Sequence, residues 1–332
     1  MSGNTEGIRK NLHERVIKKI IDVAVINAGA LELPLRHHFQ APGKGSRSQL
    51  IKTIQGEITN EEFLTTVCAV CECIHEASLV HDDLQDRDEV RRSNPTVWKK
   101  FGDDAAILLG DHLIVCASTI LLSSHLPDQA KLMIQGFMNE AVSKATNGQF
   151  TQLGLEIGNS NVTHFYQESA ANKTGAFFAF TMKSAYVLKS LLRSPADHPI
   201  SNELPAAIRQ DLKAIELAGQ NLGIGYQIYN DCKNLTNAKT FFATRDWQQQ
   251  IVTAPLIILS KMVDEPTKIP LNVGIAERVL NQCKEWQNKA YADAELILQN
   301  VDPSILETVK QFGIRFRIRT RADSAENLSA IL

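Results

Sequence analysis

The sequence Leu79-Val80-His81-Asp82-Asp83-Leu84-Gln85-Asp86 places three aspartates within five positions. The residues before it contain few helix breakers, so the pattern predicts a helix that carries the whole segment. On a helix, Asp82 and Asp86 share one face a turn apart, with Asp83 beside them. Three clustered carboxylates repel one another unless a cation neutralises them, and hard oxygen ligands at this density suit Mg²⁺.

Two arginines, Arg91 and Arg92, follow the aspartates. Guanidinium groups make charge-assisted hydrogen bonds to phosphate, and Mg²⁺ typically joins one or two carboxylates to substrate phosphates. The stretch therefore indicates a site for a phosphorylated substrate. A lone motif of this kind would instead favour a solvated acidic helix end with ordinary ion pairs, so the decision rests on the surrounding sequence.

Composition limits the function classes. The chain has 332 residues, 44% of them hydrophobic, and a formal net charge of -2, which gives no support for nucleic-acid binding. No run approaches the roughly 18 to 20 apolar residues of a transmembrane helix, and the first 19 residues do not resemble a signal peptide. Cys68, Cys71 and Cys73 lie in an apolar helical run, so we expect buried thiols and a cytoplasmic location.

Helical spacing continues along the chain, with almost no alternating pattern. The predicted helices cover 16–33, 58–86, 103–122, 141–155 and 166–188. We therefore expect one all-α domain over residues 1–332, with residues 1–10 as a flexible terminus.

The segment from Ala77 to Val97, with Phe101-Gly102 and Leu109-Gly110-Asp111 after it, closely resembles the first aspartate-rich region of the trans-isoprenyl diphosphate synthases, the polyprenyl synthetase family. The resemblance extends from about residue 40 to 320. That family is all-helical, usually homodimeric, and couples an allylic diphosphate to isopentenyl diphosphate with Mg²⁺. The resemblance implies an isoprenoid-synthase-type helical bundle with a central cavity. A heteromer is the alternative to the homodimer.

The resemblance also implies roles for individual residues. The metal ligands would be Asp82, Asp83, Asp86 and, more weakly, Asp231. The groups at the allylic diphosphate would be Arg91, Lys173 and Gln227, with Gln149 and Thr174 as further substrate contacts. The homoallylic diphosphate would contact Lys44, Arg47, His75 and Arg92. Gly45 and Ser48 stand where the family usually has Arg and Pro, so the Lys44–Arg47 loop is looser than usual.

The second aspartate-rich region departs from the family pattern GxxFQxxDDxxD. Its three aspartates correspond to Asn230, Asp231 and Asn234, and Lys233 adds a cation inside the motif. In the motif that follows, which begins at Asp246, Ile251 replaces a lysine that normally contacts the allylic diphosphate. A weakened metal site and replacement of a metal charge by Lys233 are both open interpretations.

These departures leave several functions open. Mg²⁺-dependent prenyl transfer is the main hypothesis, and a non-catalytic or regulatory subunit of a prenyl synthase is the first alternative. The others are prenyl transfer to a non-standard acceptor and terpene cyclisation. The cyclase hypothesis is weakened because Ala238 stands where the cyclase NSE motif has Glu, and cyclases do not need Lys44, Arg47 and Arg92.

The residues one helical turn before Asp82 indicate the length of the prenyl tail. A turn rises about 5.4 Å, close to one isoprene unit. Ala77 and Ser78 are small where short-chain members of the family carry a bulky aromatic residue. We therefore expect a C20 or longer product, although Ala77 would also be explained by close helix packing alone.

Overall fold

The described residues of the computed structural model, 2–57, 60–193, 205–233, 235, 251–262 and 273–319, are almost entirely helical. Their strands form one antiparallel hairpin, β1 (Val90–Arg91) with β2 (Asn94–Pro95), in which Val90 is paired with Pro95. The all-α prediction is confirmed. The α-helices are α1 (Ser2–Ala24), α2 (Glu32–His38), α3 (Ser46–Gln55), α4 (Glu61–Gln85), α5 (Val97–Phe101), α6 (Asp103–Leu122), α7 (Asp128–Leu153), α8 (Val162–Ala170), α9 (Ala176–Arg193), α10 (Ala206–Cys232), α11 (Ala254–Met262), α12 (Val273–Ile297) and α13 (Pro303–Arg315). Two short 3-10 helices, Val25–Asn27 and Gly29–Leu31, lie between α1 and α2, and a π-helical turn, Ala171–Gly175, joins α8 to α9.

The chain divides into two compact units, one of residues 1–139 and 180–203, the other of residues 140–179 and 204–332. Helices α7 and α9 contribute residues to both. The expectation of one domain over residues 1–332 stays a prediction.

Helix α4 is the central helix of the first unit and contacts α1, α3, α5 and α6. It begins where the Asn60 side chain accepts hydrogen bonds from the backbone N–H groups of Glu62 and Phe63, which satisfies two donors of the first turn. From Leu64 to Val80 most of its side chains are buried. All six cysteines of the chain are buried and free, which confirms the prediction for the thiols of α4.

The N-terminal region differs from the expectation. Helix α1 includes residues 2–10, which we expected to be a flexible terminus, and it ends at Ala24 rather than continuing to Leu33. Pro34 does not follow a helix but lies within the first turn of α2. A proline is tolerated there because the first-turn N–H groups have no intrahelical acceptor.

In the second unit, α10 contacts α12, the π-helical turn, α8 and α11. One hydrophobic cluster joins these helices and includes Tyr166, Ile228, Cys232 and Cys283. A set of edge-on ring contacts, with centroids 5.0–5.5 Å apart, joins Phe178 to Tyr226 and Phe312. The burial of Phe177, Phe178 and Phe180 confirms that the aromatic run is core packing.

Two helices, α4 and α6, are long and apolar enough to cross a membrane by length and composition alone. The apolar part of α4 is 72% buried within the protein and that of α6 is 44% buried. Core helices of globular proteins meet the same criteria, so neither helix is a clear transmembrane segment.

Candidate active site

The aspartate-rich stretch forms the C-terminal end of α4. Asp82 and Asp83 lie in the last turn, and Asp86 follows as the C-cap, its N–H donating to the Asp82 carbonyl at 2.7 Å. Arg87 then adopts a left-handed backbone with φ 54°, which ends the helix. Asp82 and Asp86 are partly exposed. Because the C-terminus of a helix carries partial negative charge, this end of α4 attracts cations.

Asp83 has a different surrounding from its two neighbours. It is 3% exposed, and its two carboxylate oxygens accept hydrogen bonds from Arg91 Nε at 2.7 and 2.8 Å. Burial disfavours the charged guanidinium, but the hydrogen bond to Asp83 and the negative field of Asp83, Asp82 and Asp88 outweigh it and raise the pKa of Arg91. The β1–β2 hairpin is thereby fixed to α4, and Asp83 orients Arg91.

The three aspartates Asp82, Asp83 and Asp86 therefore do not form a complete metal-binding cage by themselves. Within the part of the chain that the structure describes, no group of three or more His, Cys, Asp or Glu side chains is arranged to hold a cation. Asp82 and Asp86 are a turn apart and fit a Mg²⁺ that takes its remaining ligands from water and phosphate. The metal role predicted for Asp83 stays a prediction, and its observed partner is Arg91.

The candidate homoallylic residues also lie in the first unit. Lys44 is exposed, and Gly45 after it has φ 63°, a left-handed conformation that starts α3. Arg47 lies in the first turn of α3. His75 on α4 has a pKa lowered well below its usual value by burial, and also by Arg47 and Arg92. His75 is therefore a neutral hydrogen-bonding group near neutral pH rather than a fourth cation beside Lys44, Arg47 and Arg92.

Arg92 has partners that the sequence did not indicate. Its Nη2 donates to Glu76 Oε1 at 3.0 Å, and its Nη1 donates to the Ala41 carbonyl at 3.0 Å. The Oε2 atom of Glu76 also lies 2.8 Å from His38 Nε2. Neither Glu76 nor His38 belongs to the motifs that identified the site, so pattern matching missed both.

The second unit brings the other predicted residues together at the π-helical turn. Lys173 Nζ lies 3.2 Å from Gln152 Oε1, and Thr174 donates to Gln227 Oε1 at 3.0 Å. π-Helical turns occur frequently at functional sites because they displace side chains from regular helical positions. A Cβ on Gly148 would lie 2.5 Å from the Lys173 backbone nitrogen, so only glycine allows α7 this close to the turn.

Gln149 follows Gly148 on α7 and is 8% exposed. Neither its amide oxygen nor its amide nitrogen has a hydrogen-bond partner among the described residues. A buried amide normally satisfies both groups. The side chain thus offers a donor and an acceptor to a bound molecule.

The degenerate motif ends α10, and Asp231 there is bonded on both oxygens. Oδ2 accepts from Tyr166 Oη at 2.7 Å and from the Ala254 N–H at 2.9 Å, and Oδ1 accepts from Gln227 Nε2 at 2.9 Å. This arrangement links α8, α10 and the start of α11. The metal role predicted for Asp231 stays a prediction, beside an evident structural one.

Two other departures from the family pattern, one in this motif and one in the next, bear on the expectations. Lys233 is exposed and is the C-cap of α10, which does not favour the interpretation that it replaces a metal charge inside the site. Ile251 is partly exposed and brings no charge to the place of the family lysine. Asn234, Ala238 and Asp246 lie outside the described residues.

Comparisons with known proteins agree on the family. The family model described as polyprenyl synthetase matches residues 29–285. A prenyl transferase from Cyanophora paradoxa is 26% identical over 81% of this chain and 83% of its own length. A geranylgeranyl pyrophosphate synthase from Geoglobus acetivorans is 28% identical over 65% of this chain and 63% of its own length.

Solved structures show the same fold. Geranylgeranyl pyrophosphate synthetase from Pyrococcus horikoshii covers 96% of this chain and 100% of its own at a TM-score of 0.75, with 21% identity. Polyprenyl synthase from Caulobacter crescentus, solved with calcium and isoprenyl diphosphate, covers 94% of this chain and 96% of its own at a TM-score of 0.72, with 17% identity. The all-α isoprenoid synthase fold is therefore confirmed. Since the family model spans most of the chain as well, the protein belongs to the polyprenyl synthetase family of prenyltransferases.

Proposed function

We propose that the protein couples an allylic prenyl diphosphate to isopentenyl diphosphate in a Mg²⁺-dependent reaction that releases pyrophosphate. The observation that carries this proposal is the C-terminal end of α4, where Asp82 and Asp86 are partly exposed and Arg91 is held next to them by Asp83. Carboxylates that can bind a metal thus adjoin an oriented cation that can bind phosphate. Prenyl transfer from a diphosphate requires both.

Each group of residues then has a task in the reaction. Asp82 and Asp86 would hold Mg²⁺, which when bound neutralises charge on the departing diphosphate. Arg91 donates hydrogen bonds to oxygens of the allylic diphosphate, and Lys44, Arg47, neutral His75 and Arg92 bind the homoallylic diphosphate. The alkene attacks the allylic carbon as the carbon–oxygen bond breaks, and the released pyrophosphate accepts the proton that the resulting carbocation loses as the new double bond of the product forms.

In the second unit, the residues predicted to contact the substrate offer a positive charge and hydrogen-bonding groups of their own. Lys173 provides a positive charge at the π-helical turn, while Thr174 and Gln227 form a hydrogen-bonded pair that ends on Asp231. Gln149 offers unused amide groups. We assign these four residues to substrate binding.

Product identification tests the proposal. Purified protein is incubated with Mg²⁺, isopentenyl diphosphate and allylic diphosphates of C5, C10, C15 or C20, and the products are identified by mass. We expect chain elongation to C20 or longer. Hydrocarbon products that form without isopentenyl diphosphate would instead indicate a cyclase.

A second candidate function is that of a non-catalytic partner subunit. The hydrogen bonds around Asp231 favour it, because a carboxylate engaged by three protein donors is less available for a metal. In that case the protein alone would bind prenyl diphosphates without turnover. Activity would appear only when a catalytic family member is added.

The product length depends on the residues before the aspartates. Ala77 is 1% exposed on α4, and Ser78 donates to the His75 carbonyl. We expect Ala77→Phe to shorten the longest product by about one isoprene unit, because one helical turn spans about 5.4 Å. The measurement is the product mass distribution from farnesyl diphosphate.

Since Ala77 is buried, a larger side chain there can cost about 1–3 kcal/mol in the free energy of unfolding. Ser78→Phe, at a partly exposed position, gives a second variant, and thermal unfolding checks that both are folded. An unchanged product distribution in two folded variants would place the prenyl tail elsewhere.

Helix α6 supports the proposal that the protein is a homodimer. Its apolar side chains Ile107, Leu108, Val115 and Leu122 are between 46% and 63% exposed, and their spacing places them along one face. Contiguous exposed apolar surface of this kind marks interaction sites. Homodimers are also usual in the family that the sequence resembles.

A charge on this face should separate the protomers. We expect Val115→Lys to convert a dimer of 36.8 kDa chains to monomers, because a lysine would be desolvated in the interface. Ile26→Lys, at another exposed apolar position, is the matched control and should stay dimeric. Sedimentation velocity measures both, and a dimeric Val115→Lys would exclude this face.

We also propose a cytoplasmic location. All six cysteines are free, and free thiols persist in a reducing compartment.

A further inference from the structure

Glu76 is a buried acid in the middle of a cationic region. Its side chain is 2% exposed and it lies on α4, between His75 and the aspartates. Burial alone would raise its pKa, but hydrogen bonding by His38 and the positive field of His38, His75 and Arg92 hold the pKa of Glu76 well below its usual value. The group is therefore a carboxylate in the folded protein at neutral pH.

The contacts of Glu76 join segments that are far apart in the sequence. Oε1 accepts from Arg92 Nη2 at 3.0 Å, and Oε2 lies 3.3 Å from Arg92 Nη1 and 2.8 Å from His38 Nε2. Arg92 Nη1 continues to the Ala41 carbonyl at 3.0 Å. One carboxylate thus connects α2, α4, the turn between β1 and β2, where Arg92 lies, and the turn at Ala41–Lys44.

The backbone at Arg92 needs such support. Arg92 and Ser93 have φ of 51° and 68°, a left-handed conformation that costs non-glycine residues roughly 1 kcal/mol or more each. A strained conformation persists only when its surroundings hold it. The two hydrogen bonds that the Arg92 guanidinium donates to Glu76 fix its position and therefore help to hold this turn.

The turn before Lys44 is shaped around the same guanidinium. A Cβ on Gly43 would lie 2.8 Å from Arg92 Nη2 and 3.5 Å from Glu76 Oε1. The backbone at Gly43 thus passes directly over the ion pair. If Arg92 moved, the backbone that carries Lys44 would lose the surface on which it rests.

We propose that Glu76 is a positioning residue, which holds Arg92 and the Ala41–Lys44 turn in the arrangement that receives the homoallylic diphosphate. The inference rests on the proposed function for the identity of that ligand. Glu76 itself does not contact the diphosphate, because like charges repel. It acts through Arg92 and Lys44.

The test compares Glu76→Gln with Glu76→Asp. Glutamine keeps the shape but loses the charge and one of the two acceptors, while aspartate keeps the charge with a shorter reach. We expect Glu76→Gln to raise the KM for isopentenyl diphosphate about tenfold, with kcat and the KM for the allylic substrate within twofold. Glu76→Asp should recover part of the affinity. Glu62→Gln, which changes an exposed acid on the same helix, is the control and should match the wild type.

A double-mutant cycle with Arg92→Ala identifies the path of the effect. If Glu76 acts through Arg92, the double variant binds isopentenyl diphosphate no more weakly than Arg92→Ala alone. Calorimetric titration with isopentenyl diphosphate measures this without turnover. It therefore separates a failure of this inference from a failure of the proposed reaction.

Three outcomes would overturn the inference. Unchanged affinity in Glu76→Gln would mean that the ion pair serves stability only. Tighter binding would mean that the main effect of Glu76 is to cancel the charge of Arg92. Additive effects of Glu76→Gln and Arg92→Ala would exclude action through Arg92.

Discussion

Asp82→Ala is expected to lower kcat by about a thousandfold or more, equivalent to ~4 kcal/mol of transition-state stabilisation. Asp82 lies in the last turn of α4 and remains partly exposed, whereas Asp83 is held by Arg91. Loss of the Asp82 carboxylate removes a metal ligand. The metal is needed there because negative charge accumulates on the departing diphosphate. Asp82→Asn, which keeps the shape, should be nearly as damaging.

The measurement is steady-state turnover at saturating substrates over a range of Mg²⁺ concentrations. Asp128→Ala provides a matched control, since the Asp128 side chain is 91% exposed and contacts Lys131. Thermal unfolding should be similar for all three variants. Retention of more than a tenth of the wild-type kcat in Asp82→Ala would show that this carboxylate does not hold the metal.

Asp231→Ala is expected to lower the free energy of unfolding by about 3 kcal/mol. The substitution leaves the Tyr166 hydroxyl and the Ala254 N–H without their acceptor, and each unsatisfied buried group costs about 1–3 kcal/mol. Burial and the nearby Asp231 charge raise the pKa of Tyr166, so its hydroxyl stays protonated as a donor. Urea denaturation measures the loss.

Two further variants locate the cause. Tyr166→Phe removes one of the two donors that Asp231→Ala leaves without an acceptor. The double variant should therefore lose less free energy of unfolding than the sum of the two single losses. Lys233→Ala, two residues after Asp231 at an exposed position, should leave stability unchanged. If Asp231→Ala is as stable as the wild type and instead needs far more Mg²⁺ for turnover, Asp231 is a metal ligand and not a structural link.

The elements around the site were predictable where local signals agree. The expected helix over 103–122 coincides with α6, and the helix over 58–86 differs from α4 by a few residues at its start. The apolar run indicates the helix itself, whereas the Asn60 cap, which the prediction did not use, sets its start at Glu61. The family could be identified from the sequence because most of the residues that carry the resemblance, from Ala77 to Val97, lie in one continuous segment.

The side-chain pairs that shape the site could not be predicted, because they join residues that are far apart in the sequence. His38 and Glu76 are 38 positions apart, and Tyr166 and Asp231 are 65 apart. No local pattern indicates that such side chains meet, because tertiary packing decides it. The sequence predicts one regular helix over 166–188 and does not indicate the π-helical turn at Ala171–Gly175, since that segment contains no breaker before Gly175.

The most direct test of the proposed reaction counts two products in one experiment. Purified protein is given farnesyl diphosphate, isotopically labelled isopentenyl diphosphate and Mg²⁺, and both the pyrophosphate released and the label incorporated into prenyl diphosphate are followed. Prenyl transfer predicts one labelled unit incorporated for each pyrophosphate released, with both lost when Mg²⁺ is chelated. Pyrophosphate release without incorporation, or incorporation that persists without Mg²⁺, would contradict the proposed function.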